Sequence, residues 1–417
     1  MSIATWTRDL ALDSARYVAA APRRAARMAG RRDHPVVLMH GFLGFNRIGP
    51  LQYFQNVKEW LQLHGFPTYA PTTDPLNTYE YRAFEWFYGT PPRGEAPFAA
   101  DTAYRRRRLL SLAELDPFVL RRLRVSGIAE VFLRHRRPVH IVAHSQASTD
   151  ARYLTAPEGM GGWKPFASGA FGDDLVDVTI ADTIASVTTI AGPHNGVLIA
   201  DDTAAVTEFI TGYVIPAVDR FISLLSHDQS DLWAAAREFG CDHMVGEFNP
   251  RHSEHPGIRY RSVAGITNAY QVNLILKWFH VQTRTNPKYE LSDNDGFVPL
   301  GSARWPVTGE VPRDVVVDTL LHSPGTVDHL ERNGNWDFLG TIYADHVNQI
   351  GIPVSYPRNT VFHHLPFYLG LARLAAGEID DDVRLQPNGR WRRPKAAGML
   401  PSVAIPAEVA APAPAGT

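Results

Sequence analysis

The segment that most constrains the fold of this chain is residues 139–154, which reads VHIVAHSQASTDARYL. Its first six residues form a short apolar run, rich in β-branched residues and too short for a core helix, so they predict a buried strand. Ser145 follows, with an alanine two residues to either side, and the next residues have the composition of a helix. A serine in a sharp strand-to-helix turn has a strained backbone and an exposed hydroxyl, and its neighbours must be small because strand and helix nearly touch. The segment therefore predicts a nucleophilic serine at the end of a sheet strand.

An apolar run earlier in the chain predicts a second part of the same site. Residues 34–39 (HPVVLM) predict another buried strand, which ends in His40-Gly41. In sites built around a serine turn, the loop after such a strand donates one backbone N–H to the developing oxyanion, and the residue after the serine donates the other. This assigns the oxyanion hole to the backbone N–H groups of Phe42 and Gln146. Each such donor is worth roughly 3–4 kcal/mol of transition-state stabilisation.

Two further blocks complete the pattern. The first is residues 186–196 (SVTTIAGPHNG), and the second combines residues 293–298 (DNDGFV) with the later residues 343–348 (YADHVN). Together with the serine and His-Gly blocks, they resemble the bacterial lipases of the α/β-hydrolase superfamily, especially the large lipases of bacilli and their polyester-cleaving relatives. The resemblance implies a mostly parallel central sheet flanked by helices, with an inserted helical cap. It also implies hydrolysis of ester bonds through an acyl-enzyme on Ser145. Ala147 is a departure, because the bacilli lipases have glycine there; we expect the extra methyl group to open the turn slightly without abolishing activity.

The orienting acid of the triad is predicted to be Asp295. Hydrolases of this fold place serine, acid and histidine in that chain order, with the acid on a loop after a late strand. Asn294-Asp295-Gly296 favours a tight turn, and the resemblance assigns the acid to this position. The alternatives are a role for Asp295 in turn formation only, or another carboxylate as the acid: Asp293 nearby, or Asp177 or Asp182 farther away.

The general base is predicted to be His346, which follows a strand-like stretch and precedes the terminal helix predicted over residues 361–376. His329 is the rival, because it also follows a strand-like run and an aspartate; the resemblance favours His346. The other histidines considered are His322, His363 and His364, of which the last two lie inside the predicted terminal helix. His144 and His194 are interpreted as structural residues packed near the floor of the site.

Alternating strand and helix patterns predict one catalytic domain over residues 34–378, with a helical cap inserted at about 197–250. Residues 1–33 are basic and carry apolar positions at helical spacing, which predicts an amphipathic helix packed on the domain or lying at a membrane surface. Residues 379–417 become rich in proline and alanine and predict a partly disordered extension. A helix is also predicted over 49–64, and a late strand over 314–320.

The composition limits partners and compartment. The net charge of −2 gives no reason to expect a nucleic-acid partner, and the single cysteine, Cys241, excludes an internal disulfide. The sequence shows no secretory signal of the usual kind, so the cytoplasm is favoured, with export left open. We expect an ester or lipid substrate, transient contact with a lipid surface as an option, and no obligate protein partner.

We expect no cofactor and no zinc. The zinc site of the bacilli lipases lies in an inserted segment and uses two Asp and two His, whereas residues 76–112 here contain no histidine. Asn348 occupies the place of an acidic calcium ligand in several related families, so calcium stays an option of lower affinity. The aromatic stretch at residues 79–88 either lines an acyl pocket or packs on the sheet. The substrate pocket is otherwise unassigned, and the alternative function is an acyltransferase or a non-catalytic member of the fold.

Overall fold

The computed structural model describes residues 32–42, 44, 47–48, 51–90, 125–166, 171–214, 232–268, 270–285, 293–307, 327, 329–352, 362–379 and 383–392. Three predictions therefore lie wholly or mostly outside the described residues: the amphipathic helix within residues 1–33, the strand over 314–320, and the character of residues 393–417.

A seven-stranded sheet forms the centre of the fold. Its strands run in the order β2-β1-β3-β4-β5-β7-β6, and all neighbours are parallel except the antiparallel pair β6 and β7. In chain order the strands are β1 (Val36–Met39), β2 (Thr68–Tyr69), β3 (Val139–His144), β4 (Ile184–Ile190), β5 (Arg259–Ile266), β6 (Glu331–Asn333) and β7 (Trp336–Tyr343). The strand that carries the serine turn, β3, therefore lies between two parallel neighbours.

Helices cover both faces of this sheet. The longer helices are α1 (Val57–Leu63), α2 (Tyr79–Tyr88), α3 (Ile128–His135), α4 (Ala147–Thr155), α5 (Thr203–Phe209), α6 (Leu232–Arg237), α7 (Leu274–Thr285), α8 (Leu300–Arg304) and α9 (His364–Ala375), with helical turns at Cys241–His243 and Asn249–Arg251. Helices α2, α3 and α4 pack on one face, and α1 and α9 pack on the other. The predicted mostly parallel sheet flanked by helices is present. Among the described helices, none has both the length and the apolar character needed to cross a bilayer.

The pattern of β1 follows from this two-sided burial. Val37 and Met39 belong to the core beneath α2, α3 and α4, whereas Val36 and Leu38 belong to the core beneath α1 and α9. Successive side chains of a strand point to opposite faces, so a strand covered on both faces must be apolar at every position. The apolar runs at 36–39 and 141–143 are therefore the pattern expected of strands in a parallel sheet covered on both faces.

Two predicted helix boundaries were wrong. The helix predicted over residues 49–64 begins only at Val57, and a short hairpin pairs Arg47–Ile48 with Leu51–Gln52 before it. Asn56 has a left-handed backbone (φ 59°), so a helix cannot continue through it. The terminal helix begins at His364 rather than at residue 361.

A hairpin after the terminal helix extends the structured part of the chain beyond residue 379. It pairs Arg384–Leu385 with Trp391–Arg392. Leu385 is buried, and the indole N–H of Trp391 donates to the backbone carbonyl of Phe367 at 3.2 Å. This contact fixes the hairpin to α9.

Candidate active site

Ser145 lies in a strained turn between β3 and α4. Its backbone has φ 60°, a conformation that L-residues other than glycine adopt rarely and at a cost. Its backbone N–H donates to the carbonyl of Ile190 at the end of β4, at 3.0 Å. Ala147 begins α4 and is fully buried, so the methyl group that replaces a glycine hydrogen is accommodated in the packed turn. Such strain is typical of a serine held for nucleophilic attack.

A continuous hydrogen-bonded chain joins Ser145, His346 and Asp295. The Ser145 hydroxyl lies 2.8 Å from Nε2 of His346, and Nδ1 of His346 lies 2.7 Å from Oδ2 of Asp295. A carboxylate can only accept, so Nδ1 carries the proton, and Nε2 is the acceptor for the serine hydroxyl. Asp295 lies 51 positions before His346 in the chain, and Ser145 lies 201 positions before it, yet the three side chains meet at the carboxyl ends of the strands.

Asp295 is fully buried and accepts four hydrogen bonds. Oδ1 accepts from the backbone N–H groups of Phe297 and Val298 at 3.0 and 2.8 Å. Oδ2 accepts from His346 and from Nε2 of Gln349, the latter at 2.8 Å. Four donors offset the desolvation of a buried carboxylate.

The other carboxylates considered lie elsewhere. Asp177 is exposed and pairs with Lys164 at 2.7 Å, and Asp182 accepts from the backbone N–H and hydroxyl of Thr179 on an exposed loop. Of Asp293 and Asp295, the carboxylate in contact with His346 is that of Asp295.

A second buried carboxylate shapes the loop that carries His346. Asp345 accepts from the backbone N–H groups of Val347 and Asn348 through Oδ1, and from that of Asn273 through Oδ2. Burial raises the pKa of Asp345 to about 6, and these backbone donors act in the opposite direction. Asp345 therefore fixes the loop after β7 to the segment before α7.

The rival histidines are placed away from the serine. The His329 side chain is 64% exposed, and its Nε2 lies 3.4 Å from Glu331. His364 begins α9 and contacts the backbone carbonyl of Gln55 at 3.0 Å, and His363 immediately precedes that helix. His322 lies outside the described residues. His346 is thus the histidine that the structure brings to Ser145.

The loop after β1 packs directly on the serine turn. A Cβ atom placed on Gly41 would lie 2.6 Å from Cβ of Ser145 and 2.9 Å from the carbonyl oxygen of His144, so only glycine permits this approach. The backbone N–H groups of Phe42 and Gln146 find no hydrogen-bond acceptor among the described residues. Both predicted oxyanion donors therefore flank Ser145 without a competing acceptor from the described chain.

A buried ion pair joins the loop after β1, which carries Gly41 and Phe42 and is called the oxyanion loop below, to helix α4. Arg82 of α2 donates to Oδ2 of Asp150 on α4 at 2.8 Å and to the backbone carbonyl of His40 at 2.6 Å. Both charged side chains are fully buried. Burial raises the pKa of Asp150 to about 6, while Arg82 and the Trp86 indole act to lower it. Burial, followed by the nearby Arg82 charge, lowers the pKa of His40 to about 3, so His40 stays neutral.

The aromatic stretch at residues 79–88 forms α2, and its side chains are almost all buried against α3 and α4. Of its two predicted roles, packing on the sheet is the one observed. Arg82 and Trp86 also hold Asp150, so the stretch supports the site from behind.

Comparisons with known proteins identify this architecture. No family model matches the sequence. Among solved structures, lipase 1 from Pelosinus fermentans matches with a TM-score of 0.54 and 17% identity, over 83% of this chain and 99% of the lipase. EstA from Clostridium botulinum matches with a TM-score of 0.53 and 18% identity, over 85% and 90% of the two chains. Staphylococcus hyicus lipase matches with a TM-score of 0.54 and 17% identity, over 84% and 97%.

The chain has the α/β-hydrolase fold. The sequence prediction of the fold class is confirmed, and the resemblance to bacterial lipases is confirmed at the level of fold. In an α/β-hydrolase fold the strand-to-helix turn after β3 is where a nucleophile stands. Ser145 occupies that position.

An apolar cleft lies beside the triad. It is partly open to solvent, and its lining is apolar. The Phe42 ring meets that of Phe239 at 5.4 Å between centroids, and the Phe297 ring lies 5.6 Å from that of His346. The remaining lining residues are Ile199, Ala200, Ala205, Val206, Ile210, Ala236 and Phe279. Most of them come from the segment predicted as a cap, whose residues 215–231, including Phe221 and Ile222, lie outside the described residues.

The expectations for zinc and for calcium both stay predictions. Within the described residues, no group of three or more His, Cys, Asp or Glu side chains is arranged to hold an ion. Residues 91–112 of the segment expected to lack zinc ligands lie outside the described part. At the place considered for calcium, the amide nitrogen of Asn348 donates to Asp345 at 2.8 Å.

Sequence reasoning missed four residues around the triad: Tyr53, Gln349 and the ion pair of Arg82 and Asp150. Tyr53 accepts from the Gly41 N–H at 3.1 Å and contacts Nδ1 of His144 at 2.8 Å. None of these residues carries a local sequence signal, because each acts through a partner far away in the chain. Gln349 could have been considered only from its place one helical turn after His346.

Proposed function

We propose that this protein is a serine carboxylic-ester hydrolase of the lipase or esterase type, acting on lipid-like or polyester substrates. The observation that carries the proposal is the hydrogen-bonded chain from Ser145 through His346 to Asp295 at a strand-to-helix turn. The N–H groups of Phe42 and Gln146, which have no acceptor among the described residues, and the adjoining apolar cleft support it. The fold it shares with two bacterial lipases adds support from outside the chain.

The geometry suits acyl transfer in two steps. Oγ of Ser145 attacks the ester carbonyl carbon while Nε2 of His346 takes the hydroxyl proton, and the backbone N–H groups of Phe42 and Gln146 receive the developing oxyanion. His346 then returns that proton to the departing alkoxide, which leaves as the alcohol. A water molecule then gives a proton to Nε2 of His346 and attacks the acyl carbon. Collapse of this second intermediate breaks the bond to Oγ of Ser145, which takes the proton back from His346, and the carboxylic acid leaves. Asp295 holds the imidazole in the required tautomer and stabilises its positive form.

The cleft favours substrates with an apolar acyl group. Its lining is aliphatic and aromatic throughout, and it begins at Phe42, whose N–H is assigned to the oxyanion hole. An acyl chain extending from the carbonyl carbon would therefore leave water on entering the cleft, which contributes about 0.8 kcal/mol for each buried methylene. The described part of the predicted cap forms one wall, so this segment would act on chain-length preference.

Polar substitution in that wall provides a test of the cap. We expect Val206→Ser to lower kcat/KM for long-chain nitrophenyl esters about threefold to tenfold more than for the acetate ester, because the wall loses apolar contact with the chain. Ala204→Ser, on the exposed side of the same helix, is the matched control and should leave the chain-length profile unchanged. Melting temperatures are measured alongside. Equal losses on short and long esters that follow a fall in melting temperature would make α5 an ordinary packed helix.

Product analysis separates hydrolysis from the alternative activities. We expect the carboxylic acid to be the main product from a long-chain ester in water, with or without a primary alcohol at millimolar concentration. If the main product at low alcohol concentration were instead the ester of the acyl group with the added alcohol, the protein would be an acyltransferase. No turnover at all, together with no acyl-enzyme in the mass spectrum, would make it a non-catalytic member of the fold.

A further inference from the structure

Gln349 contacts the acid of the triad from the loop that also carries His346. Its Nε2 donates to Oδ2 of Asp295 at 2.8 Å, the same oxygen that accepts from Nδ1 of His346. The side chain is fully buried, and a Cβ atom placed on Gly265 would lie 1.9 Å from Nε2. The glutamine amide is therefore confined between β5 and the acid, with little freedom to adopt another orientation.

A second buried histidine lies beside His346. His144 ends β3, and its ring centroid is 4.6 Å from that of His346. Tyr53 accepts a hydrogen bond from the Gly41 N–H, so its own hydroxyl proton is available to Nδ1 of His144 at 2.8 Å. Nδ1 is then an acceptor, and the ring proton of neutral His144 is on Nε2. Burial, together with the nearby His346, lowers the pKa of His144 well below its usual value, which keeps the ring neutral.

Nε2 of His144 and Oε1 of Gln349 are both buried, and neither has a hydrogen-bond partner among the described residues. The hydrogen bonds of the Gln349 side chain come from its amide nitrogen, which donates to Oδ2 of Asp295 at 2.8 Å and to the backbone carbonyl of Ala344 at 3.4 Å. Gln349 therefore acts on the acid and on the loop that carries His346.

We propose that Gln349 is a positioning residue that holds Asp295 in line with His346. The inference rests on the proposed function, because it concerns the same triad. The amide nitrogen of Gln349 binds the same carboxylate oxygen as Nδ1 of His346, and the close approach of Gly265 confines that amide beside the acid.

The charge of Asp295 gives the proposal a signature in the pH profile. The titratable groups around this centre in the described chain are His346 and Asp345 from the loop after β7, His144 from the end of β3 and Tyr53 from before α1. Gln349 contributes one of the four donors that stabilise the Asp295 charge. Without it, that charge is satisfied less well and holds the proton of His346 more tightly. The acidic limb of the kcat/KM profile must then move to higher pH.

The test is Gln349→Met, which keeps the side-chain length and removes both polar atoms. We expect kcat for a soluble nitrophenyl ester to fall about tenfold with KM changed less than twofold, the cost of losing one hydrogen bond to a charged group. The acidic limb should rise by roughly half a pH unit. Gln55→Met is the matched control: Gln55 is a buried glutamine whose amide oxygen accepts from the Gln52 N–H, whereas the Gln349 amide contacts Asp295. It should keep both the kcat and the pH profile of the native enzyme.

The outcomes separate this proposal from the proposed function. If the native protein fails to hydrolyse esters, the proposed function fails. If the native protein is active and Ser145→Ala is not, a Gln349→Met variant with native kcat and pH profile overturns the positioning role alone. A loss of activity that follows a lower melting temperature, with the acidic limb unmoved, also overturns it. Gln349→Glu provides a second variant, because a carboxylate beside Asp295 should move the acidic limb upward even further if the role is correct.

Discussion

Replacing Ser145 with alanine is expected to lower kcat for ester hydrolysis on the order of 10⁵- to 10⁶-fold, the effect of removing a triad nucleophile. The fold should be retained, because the substitution removes only one oxygen atom. The left-handed backbone at this position costs alanine about as much conformational energy as it costs serine. The melting temperature should therefore change by only a few degrees. The measurement pairs initial rates on a nitrophenyl ester with a thermal melt.

Ser148→Ala is the matched control for this variant. Ser148 lies on α4 one turn after Ser145 and is equally buried, but its hydroxyl has no contact with His346. It should retain native activity to within a few-fold. If Ser145→Ala kept a substantial share of the activity while Ser148→Ala lost it, the nucleophile would be assigned to the wrong serine.

The second large effect is expected at the base. His346→Ala should lower kcat to a similar extent, because Ser145 loses the acceptor that takes its proton, and the effects of triad residues are not additive. His329→Ala should be mild, since that side chain is mostly exposed and lies at the surface beside Glu331. A double variant, Ser145→Ala with His346→Ala, should be no worse than either single variant. Rates for all three variants on one ester provide the comparison.

The opposite ranking would contradict the assignment. An inactive His329→Ala variant beside an active His346→Ala variant would mean that the described geometry is not the catalytic one. A double variant much less active than both single variants would also mean that Ser145 and His346 do not act as one unit.

The three residues of the proposed triad were expected from two sources: each stands in a local sequence pattern, and the resemblance to bacterial lipases selected Asp295 and His346 among the candidates. Ser145 follows an apolar run and precedes a helix, Asp295 stands before a glycine with positive φ at the next position, and His346 follows a strand. These patterns arise from backbone requirements that neighbouring residues reveal. The fold class followed for the same reason, since strands buried on both faces leave apolar runs in the sequence.

The supporting residues could not be predicted, because their role depends on tertiary neighbours. Gln349 contacts Asp295 across 54 positions of the chain, and Arg82 contacts Asp150 across 68. The start of α1 was misplaced for a related reason: apolar spacing suggested a longer helix, while Asn56 adopts a left-handed backbone that the spacing does not show. His144 was interpreted as structural, and its contact with Tyr53 agrees with that interpretation while adding a link to the oxyanion loop.

The central claim is that Ser145 is a nucleophile activated by His346, and covalent labelling tests it most directly. The native protein is incubated with an alkyl phosphonate ester, and the adduct is located by mass spectrometry of the intact chain and its peptides. We expect one adduct per chain, on Ser145, with labelling abolished in Ser145→Ala and slowed by several orders of magnitude in His346→Ala. No adduct on the native protein, or an adduct that persists in Ser145→Ala, would contradict the account.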